Sequence, residues 1–387
     1  MSVNHAALKR AIIKEIETSG GFLPFDQFMQ RALYAPELGY YESQHVFGAS
    51  GDFITGIDLG PWLGLGFADL MVWGWQQLGR PDHWVLLEQG GGSGRLLTQV
   101  LNHLQEQEIT MPSVVSVEKS GWMRARQQEH YAEQGYHVEQ YAELDALRLD
   151  APVLMMCNEL PDAFPVTSFI YKEGAFYERG VGLQGDTLVW LDADQPMQHP
   201  PKIDPTIIQT WPNSYISEFN PSLQIWQEKL ANMVAEGFVF CVDYGYSQQE
   251  YYRANRVEGT LMGHRGHQVV ENVLEQVGSC DITAHVDFTA LAQWGAHDGW
   301  QACSFITQGG WLAQSPSVQQ MIAQLASQGT VESMQMIAQA KRMLLPMGMG
   351  ESFKLLVQAK GSAVAPHYLK SLDRMRDLHL EKVKLGG

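Results

Sequence analysis

Hydrophobic positions recur at helical spacing near the start of the chain. Ala7, Leu8, Ala11, Ile12 and Ile16 share one face and predict a helix over 5–18. A second helix is expected over 25–32, after Pro24, and a third over 61–79. Between them lie the turn-rich Pro36-Glu37-Leu38-Gly39-Tyr40-Tyr41 and a glycine-dense stretch over 48–66 that contains Gly51-Asp52-Phe53-Ile54-Thr55. Glycine at that density implies unusual torsions or close approach to another group, either a loop folding over a site or a plain connector.

From residue 84 the pattern becomes short apolar runs alternating with amphipathic stretches. Runs at 84–87, 114–117, 136–138 and 153–157 read as strands, with helices over 96–104 and 121–134 between them. That rhythm predicts an α/β fold with a parallel sheet covered on both faces. It breaks over 166–192, where Phe169-Ile170-Tyr171, Ala175-Phe176-Tyr177 and Leu188-Val189-Trp190, separated by glycine turns, predict antiparallel strands. A Pro-rich linker follows over 195–205, then a helix over 223–235 and a buried strand over 237–245. A long helix is expected over 317–343, a last strand over 353–357 and a peripheral helical tail from Tyr368. The expected division is an N-terminal helical segment packing on the core (1–80), the first part of the sheet (81–165), a β-rich insertion and linker (166–235), the rest of the sheet (236–310) and a helical C-terminal part with the last strand (311–387).

The candidate chemistry sits where strands end. The run at 84–87 leads into Glu88-Gln89-Gly90-Gly91-Gly92-Ser93-Gly94, and a helix follows. In an open parallel sheet, ligands bind beyond the carboxyl ends of the strands. The spacing E-x-G-x-G-x-G differs from the G-x-G-x-x-G that seats a pyrophosphate. An acid before the first glycine suits a ligand with a positive end, such as S-adenosylmethionine, with its ammonium and sulfonium. Glu118 ends the next strand, where a carboxylate can accept ribose hydroxyls. Ribose recognition alone does not separate S-adenosylmethionine from NAD. Asn158-Glu159-Leu160-Pro161-Asp162-Ala163 follows the fourth strand; Glu159 and Asp162 either hold a guanidinium in bidentate fashion or cap a helix end. Asp243 either lines a channel or pairs with a buried partner, and His264, His267 and His285, lacking any metal spacing, read as structural.

Composition narrows the field. The 387 residues are 45% hydrophobic, enough for a sizeable core, and the net charge of -17 disfavours a nucleic-acid partner. That acidity fits a basic partner or serves solubility. Cys157, Cys241, Cys280 and Cys303 form no C-x-x-C pair, so neither a disulfide framework nor a zinc site is expected. The first residues lack the apolar core of a secretory signal and carry Glu15 and Glu17, unlike a transit peptide, and no apolar run approaches the roughly 20 residues of a membrane span. A soluble cytoplasmic protein is therefore expected, without a metal and of unstated oligomeric order.

At these residues the chain resembles the MidA-like S-adenosylmethionine-dependent methyltransferases, a family that includes a mitochondrial complex I assembly factor that methylates a protein arginine. ALYAPELGYY at 32–41 is similar to the family's L-x-x-P-x-x-GYY, and residues 48–55 to its G-x-x-GDFIT. Glu88–Gly94 corresponds to ELGPGRG, residues 158–165 to NEFFDALP, Glu178-Arg179 to an R-E-R-type strand and Asp243-Tyr244-Gly245 to DYG. Residues 281–288 are similar to D-L-T-A-H-V-D-F and 349–354 to M-G-E-x-F-K. The departures are Gln89, Gly91 and Ser93 in the turn and 56–60 after Thr55. The resemblance implies a class I, Rossmann-like methyltransferase sheet with a helical N-terminal segment, an antiparallel insertion and a helical C-terminal part. It implies that Gly51, Asp52, Thr55, Glu88, Gly90, Gly92, Gly94, Glu118 and Asn158 hold S-adenosylmethionine, with the 51–55 loop closing over the site. Glu159 and Asp162 would orient an arginine from a basic segment of a partner protein. The alternatives are a non-catalytic assembly factor that retains the cofactor and an NAD-dependent oxidoreductase.

Overall fold

Seven strands make the main path of the eight-stranded central sheet: β1 (Val85–Gln89), β2 (Ser113–Val117), β3 (Glu139–Tyr141), β4 (Val153–Asn158), β5 (Gly237–Tyr246), β6 (Gln301–Thr307) and β7 (Phe353–Lys360); the eighth, Val286–Asp287, pairs parallel with the end of β5. In this computed structural model, which describes residues 3–42, 56–107, 109–266, 268–361 and 364–380, they lie in the order β6-β7-β5-β4-β1-β2-β3. The first five run parallel, and β7 is antiparallel to both β5 and β6.

Alternation along the strands explains the two covered faces. Leu86, Leu154, Met156, Phe240 and Leu355 point to one side and pack with the helices Trp62–Gln77 and Arg95–Gln105. Leu87, Met155, Cys157, Cys241 and Leu356 point to the other, under the helices Ser222–Met233 and Phe288–His297. The chain winds outward from β1 to β3, then returns to β4 on the other side of β1. The sheet thus reverses between β1 and β4, and reversal opens a crevice at their carboxyl ends.

After β4 the strands Thr167–Lys172, Ala175–Gln184, Thr187–Pro196 and Tyr215–Phe219 form a separate antiparallel sheet with Leu23–Pro24. The helices Val3–Thr18 and Phe25–Tyr34 pack on it through Ile12, Ile16, Phe25 and Phe28, against Val166, Val181 and Leu188. This packing carries Tyr34, Tyr40 and Tyr41 to the crevice.

Four local expectations change. The strand expected at 136–138 lies at Glu139–Tyr141, because Gly135 (φ 77°) and a Tyr136 N–H donated to Tyr131 O (2.9 Å) make those residues the exit of the preceding helix. The linker expected at 195–205 is followed by an unforeseen strand, Tyr215–Phe219. The long helix over 317–343 is two helices, Pro316–Gln328 and Val331–Leu344. Gly329 ends the first in left-handed backbone, and Thr330 and Ser333 cap the second reciprocally. The tail from Tyr368 is not peripheral: its short 3-10 turns bury Leu369 and Leu378 completely, and Arg374 N–H donates to Phe305 O (2.7 Å). Among the described residues no helix is long and apolar enough to cross a membrane.

Candidate active site

The turn between β1 and the helix Arg95–Gln105 needs glycine at Gly90 (φ 72°), Gly92 (φ 52°) and Gly94 (φ 78°), all in the left-handed region. Gly90 N–H donates to Val117 O (2.9 Å), which ties the turn to β2. Beneath it, buried Gln127 donates from Nε2 to Gly92 O (3.0 Å), while its Oε1 accepts from Ser116 Oγ (3.2 Å) and Gln140 Nε2 (3.1 Å). Glu88 also lies beneath the turn. It is 1% exposed, and neither carboxyl oxygen has a hydrogen-bond partner among the described residues. Burial, with the charge of Glu118 adding to it, pushes the carboxyl up to about 8. A Cβ on Gly91 would stand 2.2 Å from Glu88 Oε2, so the absence of a side chain at 91 is what makes room for this carboxyl.

A cavity of about 1000 Å³ opens above the turn. Gly90, Gly91, Gly92, Ser93 and Glu118 line one end; Asn158, Glu159, Asp162, Asp281 and Tyr34 line the other. Glu88 and Gly94, expected as cofactor contacts, do not reach its wall. They shape the turn from below and from its helix end. Gly51, Asp52 and Thr55, with His267, lie outside the described residues. Gln89 accepts a hydrogen bond from Trp226 Nε1 (2.9 Å), which accounts for an amide where the family pattern has an apolar residue. Glu118 Oε1 accepts from Ser120 N–H (3.0 Å). Burial pushes its carboxyl up to about 7, with the Ser120 N–H and the Arg124 guanidinium pulling the other way.

The other end is acidic. Glu159 takes left-handed backbone (φ 54°), which costs a non-glycine residue on the order of 1 kcal/mol. Asn158 Nδ2 donates to its Oε1 (3.0 Å). Burial, and then the charge of Asp162, pushes Glu159 up to about 7. Asp162 accepts from the Tyr244 hydroxyl, and burial raises it to about 6. Asp281 accepts from the Tyr41 hydroxyl (2.7 Å), and burial raises it to about 8. Of the two roles open to Asp243, the structure shows a buried brace: it is fully buried and accepts from Asp162 N–H (3.1 Å) and Tyr244 N–H (2.8 Å). His285 stacks on Tyr246 with ring centroids 5.2 Å apart, and burial lowers its pKa to about 4, so it is neutral at pH 7.

Among the described residues, none of the ion pairs involves Glu118, Glu159, Asp162 or Asp281. Sequence reasoning singled out Glu118, Asn158, Glu159 and Asp162, and the fold brings them to one cavity. It passed over Tyr34, Tyr41, Tyr244, Asp281 and Gln127. All but Gln127 lie inside the family-like motifs quoted above, and that was the available signal.

A sheet whose seven-strand main path has this order, with a glycine turn at the β1–β4 reversal and an acid at the end of β2, is the fold of a class I S-adenosylmethionine-dependent methyltransferase. The chain belongs to that enzyme family: a family model of S-adenosyl-L-methionine-dependent methyltransferases matches residues 67–306. A crystal structure from Burkholderia thailandensis, bound to S-adenosyl-homocysteine, superposes with a TM-score of 0.87 at 27% identity, covering 96% of this chain and 97% of that one. A Danio rerio relative named "protein arginine methyltransferase NDUFAF7, mitochondrial" is 27% identical over 388 residues, 91% of this chain and 86% of its own. The Caenorhabditis elegans homolog of the same name is 26% identical over 317 residues, 75% and 71% of the two chains. These mitochondrial names overturn the expectation of a cytoplasmic protein. S-adenosylmethionine is the cofactor. The residues present fit it: a glycine turn open to close approach, a carboxyl at the end of β2 and an acidic wall that makes no ion pair among the described residues.

Proposed function

We propose that this methyltransferase modifies an arginine side chain in a basic segment of a partner protein. The observation that carries the reading is the wall formed by Glu159 and Asp162, which faces the cavity with no lysine or arginine of the described residues paired to it. The names of the relatives support the same acceptor.

Gly90 and Gly92 let the backbone approach the cofactor, and Glu118 accepts its ribose hydroxyls through the oxygen not used by Ser120. Asn158 donates to Glu159 and holds it in place. When bound, S-adenosylmethionine supplies the methyl group, and its sulfur leaves with the C–S electron pair as a neutral thioether. Glu159 and Asp162 orient the guanidinium through charge-assisted hydrogen bonds, and a carboxylate of this pair takes the proton that the nitrogen releases. The Tyr244 hydroxyl and the Asp162 N–H bond to Asp243 fix one of these acids before the acceptor arrives. The test is a pair of variants, Glu159→Gln and Asp162→Asn. S-adenosyl-homocysteine affinity by calorimetry is expected to change by less than about threefold, while methyl transfer to protein falls about a hundredfold or more. Undiminished transfer in both variants would remove the reading.

A further inference from the structure

Asp281 adds a third carboxylate to the acceptor wall, from a different part of the fold. It opens the short strand Asp281–Thr283, which pairs antiparallel with Met262–Arg265 outside the central sheet. It is 6% exposed, lines the same cavity as Glu159 and Asp162, and feels the charge of both. The Tyr41 hydroxyl holds its Oδ1 at 2.7 Å. Next to it, Asp162 is 5% exposed, and its buried Oδ1 has no hydrogen-bond partner among the described residues. Three like groups and an unpaired buried acceptor converging on one space call for a cation rich in N–H donors. A guanidinium offers five donors in one plane, so carboxylates on separate elements can take separate edges of it. An ammonium offers three donors around a point and does not match such a spread wall.

We infer that Asp281, positioned by Tyr41, is a further acceptor-binding carboxylate that grips a guanidinium edge left free by Glu159 and Asp162 and so selects guanidinium over ammonium. The inference rests on the arginine reading above.

The experiment measures calorimetric affinities of the full chain, saturated with S-adenosyl-homocysteine, for Nα-acetyl-arginine amide and Nα-acetyl-lysine amide. Wild type is expected to prefer the arginine amide by tenfold or more. Asp281→Asn is expected to weaken the arginine amide at least tenfold, shrink the preference over lysine and leave S-adenosyl-homocysteine affinity unchanged. Tyr41→Phe, which keeps the carboxyl but frees it, is expected to lose arginine affinity several-fold. Unchanged arginine affinity in Asp281→Asn overturns the role of Asp281 and leaves the arginine reading standing. Wild type that ignores the arginine amide, or binds both amides equally, overturns the arginine reading and this inference with it. If Asp281→Asn loses S-adenosyl-homocysteine binding, Tyr41→Phe decides: weakened arginine binding supports the inference and unchanged binding overturns it.

Discussion

Replacing Glu88 with glutamine should make the protein more stable at alkaline pH relative to wild type, because the folded state holds this acid where its ionised form has nothing to bind. The side chain is 1% exposed with both oxygens unpaired among the described residues, and burial pushes its carboxyl from 4.5 to about 8. Below pH 4.5 the group is protonated folded or unfolded. Between 4.5 and about 8 the folded state keeps a proton that the unfolded chain has released, so stability falls as pH rises through that window. Each unit of difference is worth about 1.4 kcal/mol. From pH 5 to pH 8.5 this one group should therefore cost wild type on the order of 3–4 kcal/mol that Glu88→Gln does not lose. The raised acids Glu159, Asp162 and Asp281 are common to both proteins and cancel in the comparison, and Glu118 enters through the charge it adds to the Glu88 shift. The unpaired amide of glutamine costs the same at every pH and also cancels. Urea unfolding of both cofactor-free proteins at half-unit pH steps gives the two stability curves. Divergence toward alkaline pH, in favour of Glu88→Gln, is expected. Parallel curves, or divergence in the opposite sense, would refute the placement of Glu88 beneath the turn.

Two other outcomes are expected. Gly91→Ala puts a Cβ 2.2 Å from Glu88 Oε2, so it should lower the urea midpoint and weaken S-adenosyl-homocysteine binding, and adding Glu88→Ala should restore part of the stability; strictly additive effects in that double-mutant cycle would argue against the contact. Affinity for Nα-acetyl-arginine amide should rise about tenfold or more from pH 6 to pH 8, because Glu159, Asp162 and Asp281, raised to about 7, 6 and 8, must ionise to hold a cation, while facing His285 is already neutral; a pH-independent affinity in calorimetry would contradict that.

The sheet was readable because its strands are buried on both faces and appear as unbroken apolar runs that end in acids or glycines. The residues at the β1–β4 reversal followed from that rhythm alone. Side-chain direction was less accessible. Glu88 shares its face with Leu86, the face packed by the helices Trp62–Gln77 and Arg95–Gln105, so alternation along β1 already aimed it under the turn. Tyr34 and Tyr41 come from the N-terminal helical region and reach the cavity because its helices pack on the antiparallel insertion, a long-range contact that periodicity does not encode. Asp281 opens a three-residue strand in a separate small sheet, too short to register as an element. Gln127 reads as one more polar residue on a polar helix, and its burial beneath Gly92 emerges only from the packing.

The most direct test of the central claim is the identity of the methylated residue. The protein is incubated with methyl-labelled S-adenosylmethionine and lysate from cells that lack it, and the labelled band is hydrolysed and analysed by mass spectrometry. The account predicts methylarginine in one protein, absent when Asp162→Asn is used. Label on another residue type, or no label from a protein that binds S-adenosyl-homocysteine, would contradict it.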